Sequence, residues 1–152
     1  MDLSPLTPAD IPEVMRIERT PGYDAVVGRF DAEEHAAQMA SPAVRYVGTR
    51  DGGGLAGFVI LQQFDQPTVL LRRIAVSQVE RGVGTRLVRA VMDWVFQATP
   101  AAALRLEVSV GNPRARHVYE REGFRQYDAD AVHHLMRIPR ERWAELRGRN
   151  AP

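Results

Sequence analysis

The hexapeptide Arg81-Gly82-Val83-Gly84-Thr85-Arg86 has the residue types and spacing of an anion-binding turn. It follows an apolar run typical of a strand and opens a run with helical periodicity. The first N–H groups of a helix have no partner within the helix, and the helix dipole is positive there. The two glycines let the backbone approach an anion closely, and the two arginines add positive charge. We therefore predict a bound anion here, with a purely structural helix start as the alternative.

A second group of chemically capable residues lies between Leu104 and Phe124. Asn112 is followed by Pro113 and, after a helical stretch, by Gly123, which is the punctuation of a capped helix. Tyr119 lies seven residues after Asn112, two helical turns along the same face. Glu107 lies on the preceding strand, where it shares the polar face and not the leucine face.

Two residue types are missing, and each absence excludes a kind of chemistry. All 20 basic residues are arginine, so a Walker A lysine, a kinase lysine and a Schiff-base lysine are excluded. The chain has no cysteine, which excludes a thiol nucleophile, a thiolate zinc site and disulfides. His133 and His134 are neighbours on a predicted strand and must point to opposite faces, so we predict no shared metal.

Charge is distributed unevenly along the 152 residues, although the net charge is only +1. The half before Arg72 is acidic and the half from Arg72 onward is basic. This asymmetry is compatible with two partners of opposite sign or with an arginine-rich nucleic-acid surface, although the pI of about 8.3 is low for the latter. No apolar run is as long as a membrane span and the first residues are not those of a signal peptide, so we expect a soluble cytoplasmic protein.

Periodicity and turn residues predict how these groups are positioned. Thr7 is expected to cap a first helix that has Pro8 at its first position. Asp51 to Gly54 is expected to be a hairpin turn, because a strand follows it. Further strands and helices are predicted at Asp2–Leu6, 31–39, 43–49, 55–62, 68–77, 84–97, 104–110, 113–122, 124–127, 132–138 and 139–147. The order predicts one α/β (α+β) domain, residues 1–152, with a mostly antiparallel mixed sheet and a central parallel pair.

The two motifs together resemble the GNAT superfamily of acyl-CoA-dependent N-acetyltransferases. The family's loop, Gln/Arg-x-x-Gly-x-Gly/Ala, is matched by Gly82 and Gly84, while its first position falls on Val79 and departs from the pattern. The stretch from Asn112 to Phe124 is similar to the family's Asn-x-x-Ala-x-x-x-Tyr-x-x-x-Gly-Phe. The resemblance implies the GNAT fold, with about 6–7 strands flanked by helices and a splayed parallel pair.

The resemblance also implies acetyl-CoA as co-substrate and an amine as acceptor. The coenzyme pyrophosphate is expected on the loop, its pantetheine arm along one strand, and further contacts at the cap of the second motif. These expectations name Ile74, Ala75, Val76, Arg81, Gly82, Val83, Gly84, Thr85, Arg86, Asn112 and Ala115.

Similarity to the ribosomal-protein alanine acetyltransferases of this superfamily implies Glu107 as general base and Tyr119 as general acid. Alternatives are that Glu107 pairs with Arg73 or Arg105, and that Tyr119 packs in the core. Glu18 and His35 are lesser candidates for the base, and we expect both to be solvated helix residues. Four acids of the first half, Glu13, Glu18, Glu33 and Glu34, form the basis of a hypothesis that the acceptor is cationic.

The acceptor itself is not specified by any motif. A protein or peptide α-amine is favoured by the Glu107 and Tyr119 pattern, while polyamines, amino sugars and amino acids remain open. A non-catalytic acyl-CoA sensor and a nucleic-acid binder are the rival functions. We predict neither a membrane nor a nucleic-acid partner, and leave a homodimer open.

Overall fold

The computed structural model describes residues 1–20, 29–78 and 82–149. Its helices are α1 Ile11–Glu18, α2 Ala32–Ala40, α3 Val83–Ala98, α4 Pro113–Arg121 and α5 Arg140–Arg149. Its strands are β1 Ser4–Pro5, β2 Arg45–Asp51, β3 Gly54–Gln62, β4 Thr68–Val76, β5 Ala103–Ser109, β6 Arg125–Ala129 and β7 His133–Pro139. Among the described residues, no helix is long and apolar enough to cross a membrane.

The first predicted helix is wrong in its start. Residues Pro8–Asp10 form a 3₁₀ turn, and the α-helix begins only at Ile11. An α-helix from Pro8 would place Pro12 beyond its first turn, where the missing N–H and the ring clash break helical geometry. Starting at Ile11 puts Pro12 in the first turn, where proline is tolerated.

The seven strands form one sheet in the order β1-β2-β3-β4-β5-β7-β6. All neighbouring pairs are antiparallel except β4 and β5, which are parallel. The predicted mixed sheet with a central parallel pair is thereby confirmed. The predicted hairpin turn is also present, and its Gly52 and Gly53 have φ values of +61° and +88°, which favour glycine.

Hydrophobic cores cover both faces of the sheet. One face packs against α3, with Leu87, Val91, Met92 and Val95 fully buried against strand residues such as Leu104 and Leu106. The other face packs against α1 and α2 through the cluster Leu6, Val14, Ile17, Val44, Tyr46, Leu55, Phe58, Ile60 and Ala75. The helical period predicted for 84–97 therefore identifies the buried stripe of α3 correctly.

A β-bulge interrupts the pairing of β3 with β4. Ile60 pairs with Arg73 whereas Leu61 pairs with Leu71, so Arg72 is the extra residue on β4. The bulge reverses the alternation of the strand: Val69 and Leu71 belong to the α3 core, but Ala75 belongs to the core under α1 and α2. Side chains after the bulge consequently point to the face opposite that expected from period two.

Candidate active site

The parallel pair opens within its own length. Pairing of β4 with β5 runs from Thr68 and Ala103 to Leu71 and Leu106, and no later pair is formed. Both strands continue, to Val76 and Ser109, so a wedge-shaped gap lies between their carboxyl ends. Backbone groups that face this gap are available to an extended substrate, because a strand with one free edge can accept another strand. We call this gap the β4/β5 cleft.

The N-termini of two helices meet the cleft. Because β4 and β5 are parallel, the chain leaves both at the same sheet edge, toward α3 from β4 and toward α4 from β5. Gly82 caps α3 with φ +69°, a left-handed conformation that favours glycine. Asn112 caps α4, and its Oδ1 accepts a hydrogen bond of 3.2 Å from the backbone N–H of Ala115.

The start of α3 has the open geometry that a phosphate group needs. A Cβ built at Gly82 or at Gly84 would meet no atom within 4 Å. Val83, Gly84 and Thr85 are half-buried in the first turn, and Arg86 is exposed, with its N–H bonded to the Gly82 carbonyl at 3.2 Å. The N–H groups that precede Arg86 in the first turn have no acceptor within the helix, and the positive helix end favours an anion there. Arg81, also predicted here, lies outside the described residues.

The predicted pantetheine strand lines the cleft. Ile74, Ala75 and Val76 all follow Leu71, the last residue of β4 that pairs with β5. Their other edge is fixed, since they pair with Val59, Phe58 and Gly57 of β3. Apart from Arg81, the residues predicted to bind the cofactor on β4, at the start of α3 and at the cap of α4 therefore lie on or directly after the unpaired ends of β4 and β5.

Glu107 is exposed on β5, just beyond the last paired position. Its neighbours Leu106 and Val108 are buried in the α3 core, so the carboxylate faces the opposite side of the sheet. The proposed alternative partners are engaged elsewhere: Arg73 pairs with Glu18, and Arg105 donates to the Gln63 side chain.

Glu107 has acidic and imidazole neighbours that the sequence did not reveal. Ligand-type atoms of Glu107, Asp130 and His133 all lie within 4.8 Å of one another. Backbone N–H groups of Val132 and His133 hold the Asp130 carboxylate, and the first of these is the main reason that its pKa lies below the usual range. Sequence reasoning missed this grouping because Asp130 is brought to Glu107 by the turn before β7.

Tyr119 is 7% exposed, and its ring packs edge-on against Phe124 with 5.7 Å between centroids. It belongs to the α3 core, as the packing alternative expected. One ion pair joins the elements around it: Arg89 of α3 binds Glu122 at the end of α4 through two hydrogen bonds of 2.9 and 3.0 Å. This bidentate pair raises the pKa of the Arg89 guanidinium.

The expectation that Glu18 and His35 are solvated is wrong, since both side chains are fully buried. His35 Nε2 lies 2.7 Å from Glu18 Oε1, and Arg73 Nη1 donates to Glu18 Oε2 at 2.6 Å. A signal was present in the sequence for Glu18, which continues the Val14 and Ile17 stripe of α1 at helical spacing. Arg73 gave none, because only the bulge turns it toward α1.

Three of the four acidic residues on which the hypothesis of a cationic acceptor is based have partners within the protein. Glu18 is paired with buried Arg73, while Glu13 accepts the Leu55 backbone N–H at 2.8 Å and lies 3.7 Å from Arg50. Glu34 and the helix cap Asp31 bind each other's backbone N–H groups in a capping box. Most of these carboxylates therefore serve the fold.

Comparison with protein families identifies the family of this chain. The profile of the acetyltransferase (GNAT) family matches residues 11–124. The chain belongs to this family and is an acyltransferase. Curated protein sequences give no significant match.

Solved structures show the same fold. A spermidine N-acetyltransferase mutant from Vibrio cholerae has a TM-score of 0.77 at 18% identity, covering 97% of this chain and 99% of that one. The PaiA N-acetyltransferase of Thermoplasma acidophilum in complex with coenzyme A gives 0.78 at 15% identity, covering 91% and 98%. The ribosomal-protein-S18-alanine N-acetyltransferase of Escherichia coli gives 0.77 at 22% identity, covering 91% and 92%.

Proposed function

We propose that this enzyme transfers the acetyl group of acetyl-CoA directly to a primary amine bound in the β4/β5 cleft. The observation that supports this most is the coincidence of three features at one sheet edge. These are the cleft, the open glycine turn at the start of α3, and the exposed carboxylate of Glu107. Acetyl-CoA would supply the activated acyl group and the anion that the turn favours.

In this mechanism the first turn of α3 binds the coenzyme pyrophosphate through backbone N–H groups, with Arg86 adding charge. Ile74 to Val76 present backbone groups that orient the acyl arm and donate to the carbonyl oxygen. The cap at Asn112 and the adjacent Ala115 form the other side of the coenzyme site. Because the chain has no lysine, the coenzyme phosphates are bound in this proposal by arginine side chains and backbone N–H groups.

Glu107 is proposed as the general base. Its carboxylate takes a proton from the ammonium group, the neutral nitrogen attacks the acyl carbon, and the C–N bond replaces the C–S bond. At pH 7, deprotonating an α-amine costs about 1.4 kcal/mol and a lysine-type amine about 4.6 kcal/mol. A base therefore contributes more with an alkyl amine than with an α-amine.

Tyr119 is proposed as the general acid. Its phenol would protonate the departing thiolate, and the phenolate would be reprotonated by the proton that the nitrogen loses as the amide forms. Tyr119→Phe should lower kcat about tenfold or more while leaving the dissociation constant of CoA unchanged. Stopped assays of thiol release and calorimetric titration with CoA measure the two quantities. A rate equal to that of the wild type would assign Tyr119 to packing alone.

The chemical class of the amine acceptor differs among enzymes of this fold. One structural neighbour is named for spermidine and another for a ribosomal-protein alanine. A panel of N-terminal peptides, polyamines, amino sugars and amino acids should identify the acceptor of this enzyme through CoA thiol release. We expect peptide α-amines to give the highest kcat/KM. Thermal protection by CoA without turnover on any amine would favour the sensor alternative instead.

A further inference from the structure

A chain of four buried polar groups crosses the face of the sheet beneath α1 and α2. The Tyr46 hydroxyl lies 2.6 Å from His35 Nδ1, His35 Nε2 lies 2.7 Å from Glu18, and Glu18 lies 2.6 Å from Arg73. The most exposed members, Tyr46 and Arg73, are each only 4% exposed. The four residues come from β2, α2, α1 and β4, so the chain joins four elements. The proposed transfer mechanism uses none of them.

The distances place a donor opposite an acceptor at each step of the chain. The Glu18 carboxylate accepts from Arg73 Nη1 and, with His35 drawn as its Nε2–H tautomer, also from His35. His35 Nδ1 is then the acceptor for the Tyr46 O–H. Burial, and to a smaller extent the Glu18 charge, raises the pKa of Tyr46, so the phenol keeps its proton. Among the described residues, no fully buried side-chain nitrogen or oxygen of these four residues lacks a hydrogen-bond partner.

Arg73 connects this chain to the β4/β5 cleft. It lies two residues beyond the last β4 residue that pairs with β5, and the bulge at Arg72 directs it to the α1 and α2 face. Glu107 faces the same side of the sheet from β5. Phe30 adds a further contact, with its ring 4.3 Å from the Arg73 guanidinium carbon and 5.4 Å from the His35 ring. Arg73 and Glu107 thus stand on opposite sides of the cleft.

The part of β4 that lines the cleft needs such a tether. From Arg73 to Val76 it pairs with β3 only, and the bulge at Arg72 weakens the ladder. The guanidinium of Arg73 fixes this segment to the end of α1 through Glu18, and His35 extends the contact to α2.

Stability alone is a weak reason for this arrangement. Burial lowers the pKa of Arg73, and the Glu18 charge only partly offsets this effect, which reflects the cost of taking a guanidinium out of water. Apolar residues of similar volume often stabilise a core as well as a buried ion pair does. An ion pair can, however, set the position of a backbone segment more narrowly than apolar contacts can.

We propose that Glu18, acting through Arg73 and supported by His35 and Tyr46, is a positioning residue for acetyl transfer. It holds segment 72–76 of β4 in the place where its backbone meets the acyl group. This inference rests on the proposed function for its catalytic meaning. Its structural content, the tether itself, is independent of that function.

The experiment compares Arg73→Met, which removes the tether, with Arg73→Lys, which keeps the charge opposite Glu18. Tyr46→Phe is the milder variant should Arg73→Met fail to fold. Asp93→Asn is the control, because it removes one charge of a different ion pair, in which half-buried Asp93 binds Trp143 and Arg147 between α3 and α5, away from β4. Amide exchange of segment 72–76, kcat for the best amine, and the dissociation constant of CoA are measured well below the unfolding midpoint.

For Arg73→Met we expect amide exchange of segment 72–76 to rise about tenfold and kcat to fall by ten- to a hundredfold. The dissociation constant of CoA should stay within twofold, and Arg73→Lys should recover part of kcat. Tyr46→Phe should show the same changes at smaller size, and Asp93→Asn neither.

Wild-type exchange in segment 72–76 of both the Arg73→Met and Tyr46→Phe variants would overturn the inference. So would an unchanged kcat in folded variants that have only a lower melting temperature. A wild-type enzyme that transfers acetyl to no amine would contradict the proposed function instead. The exchange measurement would still decide whether the tether exists.

Discussion

At the scale of single residues, the proposed coenzyme site depends on a glycine, which has no side chain to block a ligand. Gly84 leaves open space at the start of α3, where a Cβ would meet no atom within 4 Å. Packing within the protein therefore does not require glycine at this position, and the open space can accommodate a ligand. Gly148 in α5 has the same open surroundings and no proposed ligand.

Gly84→Val should weaken CoA binding without harming the fold. The new side chain would occupy the space proposed for the pyrophosphate, and we expect the dissociation constant to rise about tenfold or more, equivalent to about 1.4 kcal/mol. Helix propensity slightly favours valine over glycine, so the melting temperature should not fall. Calorimetric titration checks the affinity, and Gly148→Val is the control. Equal CoA affinity for both variants would contradict the proposal that the pyrophosphate binds at the start of α3.

Glu107→Gln tests the general base at the same scale. The amide cannot accept the ammonium proton, so we expect kcat/KM at pH 7 to fall about a hundredfold or more. The loss should shrink as pH rises toward the pKa of the amine, because more acceptor is then already neutral. A rate profile from pH 6 to 10 measures this convergence. A constant ratio of wild type to variant across that range would contradict the base role.

At the scale of elements, polar contacts hold α3 in its middle and at its C-terminus. In the middle, Arg89 binds Glu122 after α4, and Asp93 binds Arg147 of α5. At the C-terminus the Arg140 guanidinium donates to the carbonyls of Phe96, Thr99 and Ala101 at 2.6 to 2.8 Å. Carbonyls at a helix C-terminus have no partner within the helix, and a cation there also complements the dipole.

Arg140→Met should destabilise the protein by about 2 kcal/mol or more, because charged hydrogen bonds are lost and half-buried carbonyls are left unpaired. Denaturant unfolding measures the change in free energy. Arg149→Met is the control, since its partner Glu145 lies on the exposed surface of the same helix. That pair should contribute less than about 0.5 kcal/mol. Similar losses in both variants would show that the three carbonyl contacts add little.

At the scale of the whole molecule, the all-arginine composition changes how the protein responds to alkali. With no lysine and no cysteine, tyrosine is the side-chain type whose reference pKa, about 10, lies in the alkaline range. The raised pKa of Tyr46 means that the folded state holds this proton more tightly than the unfolded state does. Its contribution to stability is complete below the unfolded pKa of about 10 and is lost as pH rises toward the folded pKa.

We therefore expect the free energy of unfolding of the wild type to decline above about pH 10. Tyr46→Phe should be less stable at neutral pH but should decline less steeply, since one tyrosine with a raised pKa is gone. Tyr127→Phe, at an exposed strand position, should keep the wild-type slope. Denaturant titrations from pH 8 to 11 compare the slopes. A Tyr46→Phe slope equal to that of the wild type would contradict this assignment.

The sequence by itself determined the element types and the sheet class, because the helical stripe of α3 and the alternation of β5 are local patterns. It also determined the two helix N-termini at the cleft, since Gly82 and Asn112 are local backbone and capping signals. The prediction of the start of α1 was wrong, because the helix must begin where Pro12 falls within its first turn. The prediction that Glu18 and His35 are solvent-exposed was also wrong.

Which charged side chains lie next to each other was decided only by the tertiary structure. Glu18 and Arg73 are 55 residues apart, and Asp130 reaches Glu107 through the turn before β7. The bulge at Arg72 is also a property of pairing, because it exists only relative to β3. That one extra residue reverses which face Arg73 joins. Periodicity describes a strand alone, whereas the bulge depends on its neighbour, and for this reason the buried chain behind the cleft could not be read from the sequence.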